Sequence, residues 1–298
     1  MRMILARGIN GIFCAVLKMS LVLPYRQRLH LFGFVFGSVI GPLFGYQKRS
    51  QQNLEFIFPQ MSAERRRAIS REVNKNFGKN IIENYSKDDV IQAIENAHIT
   101  GEGLAVVKDA LANKKPLLLV SGHIGNYETA RLALKQMGYE SAGLYRPAKN
   151  PYFNAHYVKS LEYLSGPVFP QDRRGVLQFA RYLQDGGVAA MLFDVRATRY
   201  DVIPFLGQPA HTSDFPAALA LKTGAIVVPF FAHRAEDGVT HCLEFEAPIA
   251  LTTPREMMAE LSTRLESQIL KHPEQWFWVH NRWGDAEQRQ DLLKKGTL

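Results

Sequence analysis

His123 and Glu128 are the pair in this sequence best suited to proton chemistry. They lie five positions apart in Leu-Leu-Leu-Val-Ser-Gly-His-Ile-Gly-Asn-Tyr-Glu (117–128). A carboxylate on one imidazole nitrogen fixes the tautomer and supports the cation formed when the other nitrogen takes a proton. On a regular helix that spacing leaves the two side chains about 140° apart, so they would not share a face. They meet if His123 occupies a turn and Glu128 the first turn of the helix that follows, and Gly122 and Gly125 make such a turn easy. A His–Glu pair acting without a Ser or Cys nucleophile suits direct removal of a proton from a substrate hydroxyl. A lone His near a Glu is more often structural than catalytic, so the surrounding pattern has to carry the case.

The elements that must position the pair follow from periodicity. From about residue 100 the chain alternates. Helix 102–114 leads to strand 116–121, and helix 126–138 to strand 141–146. Helices 153–164 and 174–185 precede strand 187–194. Helix 213–223 leads to strand 225–233, with a further strand near 241–247. The strands are short continuous apolar runs, such as Ala-Ile-Val-Val-Pro-Phe-Phe, of the kind covered on both faces. Alternation of this kind predicts an α/β fold, an αβα sandwich with a largely parallel central sheet. Ligands of such sheets sit at the carboxyl ends of strands, which is where His123 falls. Thr253 as N-cap, Pro254 at the first position and Glu256 as the capping-box partner predict a clean start for the last helix of the domain. An earlier segment, 62–86, reads as an amphipathic helix, with Ile69, Val73, Phe77, Ile81 and Ile82 on one side and Arg65, Arg66 and Arg67 on the other.

The N-terminal region is different in kind. Of the net charge of +8 over 298 residues, residues 1–80 hold 13 Lys/Arg against 3 Asp/Glu, leaving the remainder slightly acidic. The same region holds two apolar runs, 11–24 and 31–46, each shorter than the ~20 residues of a spanning helix. Basic and apolar together suit an anionic membrane surface rather than nucleic acid. The expected division is a membrane-anchoring or interfacial helical region over 1–50 and an α/β domain over 51–298. Helices that span the bilayer, helices that lie on it and buried core helices all remain open. Two cysteines, Cys14 and Cys242, predict no disulfide framework. His211, His233, His241 and His280 show no metal-binding spacing, no glycine-rich phosphate loop is present, and no cofactor is expected.

The element Gly-His-Ile-Gly-Asn-Tyr-Glu resembles the His-x4-Glu signature of the bacterial lipid A biosynthesis (lauroyl/myristoyl) acyltransferases, within the lysophospholipid acyltransferase superfamily. Further blocks look similar in order: Asn-Leu-Glu-Phe-Ile-Phe-Pro (53–59), Leu-Tyr-Arg-Pro-Ala-Lys-Asn-Pro (144–151), Asp194 with Ile-Pro-Phe-Leu-Gly (203–207), Val-Val-Pro-Phe-Phe (227–231) and His-Pro-Glu-Gln-Trp-Phe-Trp-Val-His (272–280). Two departures stand out. Val195 and Arg196 follow Asp194 where a second acidic residue or Gln is common, and Asn281-Arg282 replaces a basic pair.

The resemblance implies an O-acyltransferase on the cytoplasmic face of the inner membrane, moving a fatty acyl chain from acyl carrier protein to a hydroxyl of a lipid A precursor. It implies His123 as general base and Glu128 as its orienter. Backbone N–H groups of the Gly122–Gly125 turn are then candidates for the oxyanion. Arg146 would pair with an acceptor phosphate, which its fork binds bidentately. Asp194 would bind sugar hydroxyls, position Arg146 or cap a loop. Arg173 and Arg174, with Lys149, would meet carrier phosphopantetheine or lipid phosphate, or stay solvated. Trp276, Phe277 and Trp278 are core or a membrane-facing belt. Another acceptor lipid, or a catalytically silent membrane-bound scaffold, are the competing expectations.

Overall fold

The structure, a computed structural model, describes residues 2–295. Helices come first: α1 (Arg2–Ser20), then α2 (Tyr25–Val35), which passes through a π turn at Phe36–Ile40 into α3 (Gly41–Leu43), then α4 (Tyr46–Ile57), α5 (Ala63–Glu83) and α6 (Asp88–Glu95). The alternating part follows as β1 (His98–Thr100), α7 (Leu104–Ala112), β2 (Leu117–Ser121), α8 (Thr129–Gln136), β3 (Ser141–Tyr145), α9 (Pro151–Ser165), β4 (Val168–Pro170), α10 (Arg173–Gln184) and β5 (Val188–Leu192). A hairpin of β6 (Val202–Phe205) and β7 (Gln208–His211) precedes α11 (Phe215–Thr223), β8 (Ile226–Arg234), β9 (His241–Phe245), α12 (Pro254–Lys271) and α13 (Ala286–Lys295).

Seven strands form one sheet in the order β1-β9-β8-β2-β5-β3-β4. Every neighbouring pair is parallel except β8 and β9. The expected α/β class with a largely parallel sheet is therefore the observed one. The difference lies in the short pieces. β1 and β4 have three residues each, too few to show an apolar run, and each four-residue strand of the β6–β7 hairpin contains a proline, Pro204 and Pro209, which argues against a strand in the sequence.

The sheet is apolar on both faces because successive side chains of a strand point to opposite sides. Leu117 and Leu119 of β2 join the cluster under α6, α7 and α8, whereas Leu118 and Val120 join the one under α10, α11 and α12. Local signals stop and start the helices. Asn150 accepts from the N–H groups of Tyr152 and Phe153 with Pro151 as the first helical residue, Asp172 accepts from Gly175 N–H, and Thr253 with Glu256 closes the expected capping box.

Among the N-terminal helices, α2 lies along α5 through buried Leu29, Phe32 and Ile82. Arg28 fixes it further, reaching Asp89 at 2.7 Å and Ser86 Oγ at 3.1 Å. Much of the rest of this region is not covered by protein. Ile12, Val16 and Met19 recur on one exposed stripe of α1, and Val22, Leu31, Phe34, Val39, Leu43 and Phe44 are exposed as well. Among the described residues no single helix is long and apolar enough to cross a membrane. The segments Tyr25–Leu43 and Tyr46–Ile57 reach that size together, bent by 82°.

Candidate active site

The register of the sheet places the site. Ser121, the last residue of β2, pairs with Leu192, the last of β5. Two residues beyond each strand end stand His123 and Asp194, so a parallel pair of strands delivers an imidazole and a carboxylate side by side. β3 lies on the other side of β5 and delivers Arg146 one residue past its own end.

His123 Nδ1 lies 2.7 Å from Asp194 Oδ1, and the His123 backbone N–H donates to Asp194 Oδ2 at 2.8 Å. The indole N–H of Trp276 donates to the same Oδ2 at 2.8 Å. Asp194 is 3% exposed. Burial works to raise its carboxyl pKa, but the His123 ring, that backbone N–H and the indole outweigh it and draw it down to about 2. An ionised carboxylate accepts, so Nδ1 carries a hydrogen, and in the neutral ring the lone pair is on Nε2. A carboxylate on one ring nitrogen is the arrangement expected from the sequence, but Asp194 and not Glu128 provides it. Glu128 instead accepts from Arg131 Nη1 at 2.8 Å, and Arg131 also donates to Ser141 O at 2.9 Å. Glu128 is the residue before α8, so its side chain meets the residue three ahead, one helical turn on, rather than the imidazole behind it.

The turn that carries His123 is pinned from several sides. Gly125 has φ +54°, and a Cβ there would sit 2.0 Å from Ala232 O, so only glycine fits. Asn80 Nδ2 donates to Gly125 O at 2.6 Å, and Asn126 Nδ2 donates to Glu83 Oε2 at 2.9 Å. Glu83 is wholly buried with Arg234 and His241, and accepts from Tyr25 OH at 2.9 Å. The C-terminal segment closes the other side: Phe277 N–H donates to His123 O at 2.9 Å, and Gly125 N–H donates to Gln275 O at 3.0 Å.

His123 opens onto a cavity of about 410 Å³ lined also by Tyr127, Glu128, Arg131, Arg146, Arg196 and His280. Of the other sequence candidates, Arg146 is exposed at its rim, while Lys149 and Arg173 are exposed and outside its lining. Arg174 is exposed as well. Asp194 makes no ion pair with Arg146; it is buried and caps the His123 turn through that residue's backbone N–H. Trp276 and Trp278 are core, not a membrane-facing belt, whereas Phe277 is half-buried beside Phe77 and His123. Three of the four turn N–H groups considered for an oxyanion are committed elsewhere: His123 to Asp194, Ile124 to Gly122 O, and Gly125 to Gln275 O. Sequence reasoning missed the contribution of Arg131, Trp276 and His280 to this site. Arg131 left a signal in its three-residue spacing from Glu128, and Trp276 and His280 left one in the 272–280 block.

A buried carboxylate holding an imidazole at the carboxyl end of a parallel sheet, above a cavity, is the strand-end arrangement of an α/β enzyme. The profile of the family described as bacterial lipid A biosynthesis acyltransferase matches residues 2–285, and the chain belongs to that family. It is an acyltransferase of lipid A biosynthesis. Two relatives are similar along most of their length. A lipid A biosynthesis lauroyltransferase of Escherichia coli is 28% identical over 247 residues, covering 78% of this chain and 77% of its own. A lipid A biosynthesis acyltransferase of Haemophilus influenzae is 24% identical over 292 residues, covering 95% and 90%. Among solved structures, the 1-acyl-sn-glycerophosphate acyltransferase PlsC from Thermotoga maritima aligns with 12% identity and a TM-score of 0.39, over 90% of this chain and 99% of that one.

Proposed function

We propose that the protein transfers a fatty acyl group from the thioester of acyl carrier protein to a hydroxyl of a lipid A precursor, with His123 as general base and Asp194 as its orienter. His123 Nε2 takes the hydroxyl proton as the oxygen forms a C–O bond to the thioester carbonyl carbon. The carbonyl π pair moves onto its oxygen. When the carbonyl re-forms, the C–S bond breaks, and the thiolate takes the proton back from His123. The products are an ester and a free thiol, and no other reactant is needed. The observation that carries this is the 2.7 Å contact from Asp194 to His123 Nδ1, which leaves the basic nitrogen of a buried-carboxylate pair facing a cavity. Arg146, with the Arg131–Glu128 pair deeper in the wall, supports a phosphorylated acceptor.

Purified full-length enzyme, labelled acyl carrier protein and lipid A precursor test it. Ester product is expected, and His123→Ala is expected to lower turnover roughly 10²–10⁴-fold, the usual contribution of a general base. Undiminished turnover by that variant sinks the mechanism. Product only with a glycerophospholipid acceptor sinks the lipid A assignment while leaving the chemistry standing.

The same proposal places residues 1–50 at the inner membrane, with the cavity on its cytoplasmic face. The exposed stripe of Ile12, Val16 and Met19, with the basic excess of residues 1–80, supports this. Replacing Ile12 and Val22 together by Asp should weaken binding to anionic vesicles by roughly tenfold or more, since each apolar side chain buried contributes about 1.5–3 kcal/mol. Co-sedimentation reads this directly, and equal sedimentation of variant and parent would refute it.

A further inference from the structure

The short segment after β5 grips two imidazoles, not one. Asp194 takes His123 Nδ1, and two residues later the backbone N–H of Arg196 donates to His280 Nε2 at 2.9 Å. A nitrogen that accepts from an amide cannot itself carry hydrogen, so His280 holds its hydrogen on Nδ1. The two rings therefore have complementary tautomers: His123 offers a lone pair, and His280 offers an N–H. Both line the same cavity. Nδ1 of His280 donates to no described residue, yet it is not sealed in the core as an unsatisfied atom. The backbone on either side is fixed, with Asn53 Nδ2 donating to His280 O at 2.9 Å and His280 N–H donating to Phe277 O at 3.1 Å.

The acyl transfer described above generates negative charge on the former carbonyl oxygen, and that oxygen needs donors already in place. The N–H groups of His123, Ile124 and Gly125 are spent on Asp194, Gly122 and Gln275. We infer that His280, through Nδ1–H, is a catalytic residue that donates a hydrogen bond to the oxyanion of the acyl thioester. The inference rests on the acyl-transfer reaction proposed for this site. A neutral donor suits the task, because the arginines of the cavity are the groups suited to the acceptor's phosphate. Burial keeps His280 neutral, pushing it down to about 4, so the ring does not compete with His123 for the substrate proton at neutral pH.

Two isosteric variants separate this role from a structural one. In His280→Asn the amide nitrogen takes the place of Nδ1, which keeps the donor and loses the acceptor for Arg196 N–H. In His280→Gln an amide oxygen reaches the place of Nε2, which keeps the Arg196 bond and loses the donor. Steady-state kinetics on full-length enzyme with acyl carrier protein donor and lipid acceptor are read beside thermal melts of each variant. Oxyanion donation predicts that His280→Gln melts like the parent but loses roughly 10²–10³-fold in kcat, with KM for both substrates within a few fold. It predicts that His280→Asn keeps kcat within about tenfold of the parent even where its melting point falls. The reverse order, Gln active and Asn inactive, overturns the inference, as does a loss confined to KM. So does full activity of His280→Gln beside a collapsed kcat in Tyr127→Phe, which would give the oxyanion to the tyrosine. Parent enzyme that turns over no acyl thioester, by contrast, fails the reaction proposed for the site and not the donor assignment within it.

Discussion

Asp194→Asn is expected to remove most of the activity while leaving the protein folded. The asparagine amide donates where the carboxylate accepts, so the hydrogen of His123 moves from Nδ1 to Nε2. The nitrogen facing the substrate then has no lone pair to offer, and the imidazolium has no counter-charge. A loss of roughly 10²–10⁴-fold in kcat follows, the usual contribution of a general base. A second readout needs no substrate: the nitrogen chemical shifts of labelled His123 should report the Nδ1–H tautomer in the parent and Nε2–H in the variant. Glu128→Gln should leave that tautomer untouched, because Glu128 bonds Arg131 instead. A tautomer that follows Glu128 and ignores Asp194 would reverse the assignment of the two carboxylates.

The second large effect is on stability. Glu83 is 1% exposed and Arg234 3%, and Arg234 binds both oxygens of the carboxylate, with His241 at 3.1 Å. Removing one partner strands the other charge in the core, which costs about 3–5 kcal/mol. Glu83→Gln is therefore expected to lower the melting temperature by about 10 °C. Replacing Glu83 and Arg234 together by Met should recover much of that loss, since the desolvation of both ions is then relieved. A single variant as stable as the parent, or a double variant worse than the sum of the singles, would show that the pair is not what holds this region. Because Asn126 hangs on Glu83, the single variant should also loosen the His123 turn and lower kcat.

The sign of the pH dependence follows. Burial works to raise the Glu83 carboxyl, but Arg234 and His241 outweigh it, and the pKa in the folded state lies below the ordinary value. Asp194 behaves the same way, at about 2. A depressed folded pKa means that the unfolded chain binds the proton first. The stability these groups contribute is complete above the ordinary carboxylate range and drains away as pH falls through the folded values.

Much of the frame was legible in the residues. The apolar run 117–121 followed by glycines was enough to put His123 at a strand end, because a buried parallel strand needs no partner pattern to be recognised. The capping box at Thr253 is local, and so was readable. The partner of His123 was not, since Asp194 is 71 residues away and only the pairing of Ser121 with Leu192 brings the two strand ends level. Glu128 was the near carboxylate, but the rule that governs it is the helical three-residue step to Arg131, which outcompetes a reach back across the turn. His280 showed only an absence of metal-binding spacing and a place at the end of the 272–280 block. Its meaning depends on a backbone N–H supplied by Arg196, and backbone donors leave no trace in composition.

The C-terminal strap over the His123 turn also sets an order in time. Ile124 bridges to Trp276, Phe277 N–H reaches His123 O, and Trp276 supplies a third donor to Asp194. A ribosome delivers roughly 5–20 residues per second, so the basic apolar helices leave it many seconds before residues 275–280. During that interval the nascent chain has its apolar N-terminal helices made and the ring of His123 without its frame. The site is thus assembled last, and a chain terminated short of residue 275 carries every strand of the sheet but lacks the Trp276 donor to Asp194 and the strap that fixes the His123 turn.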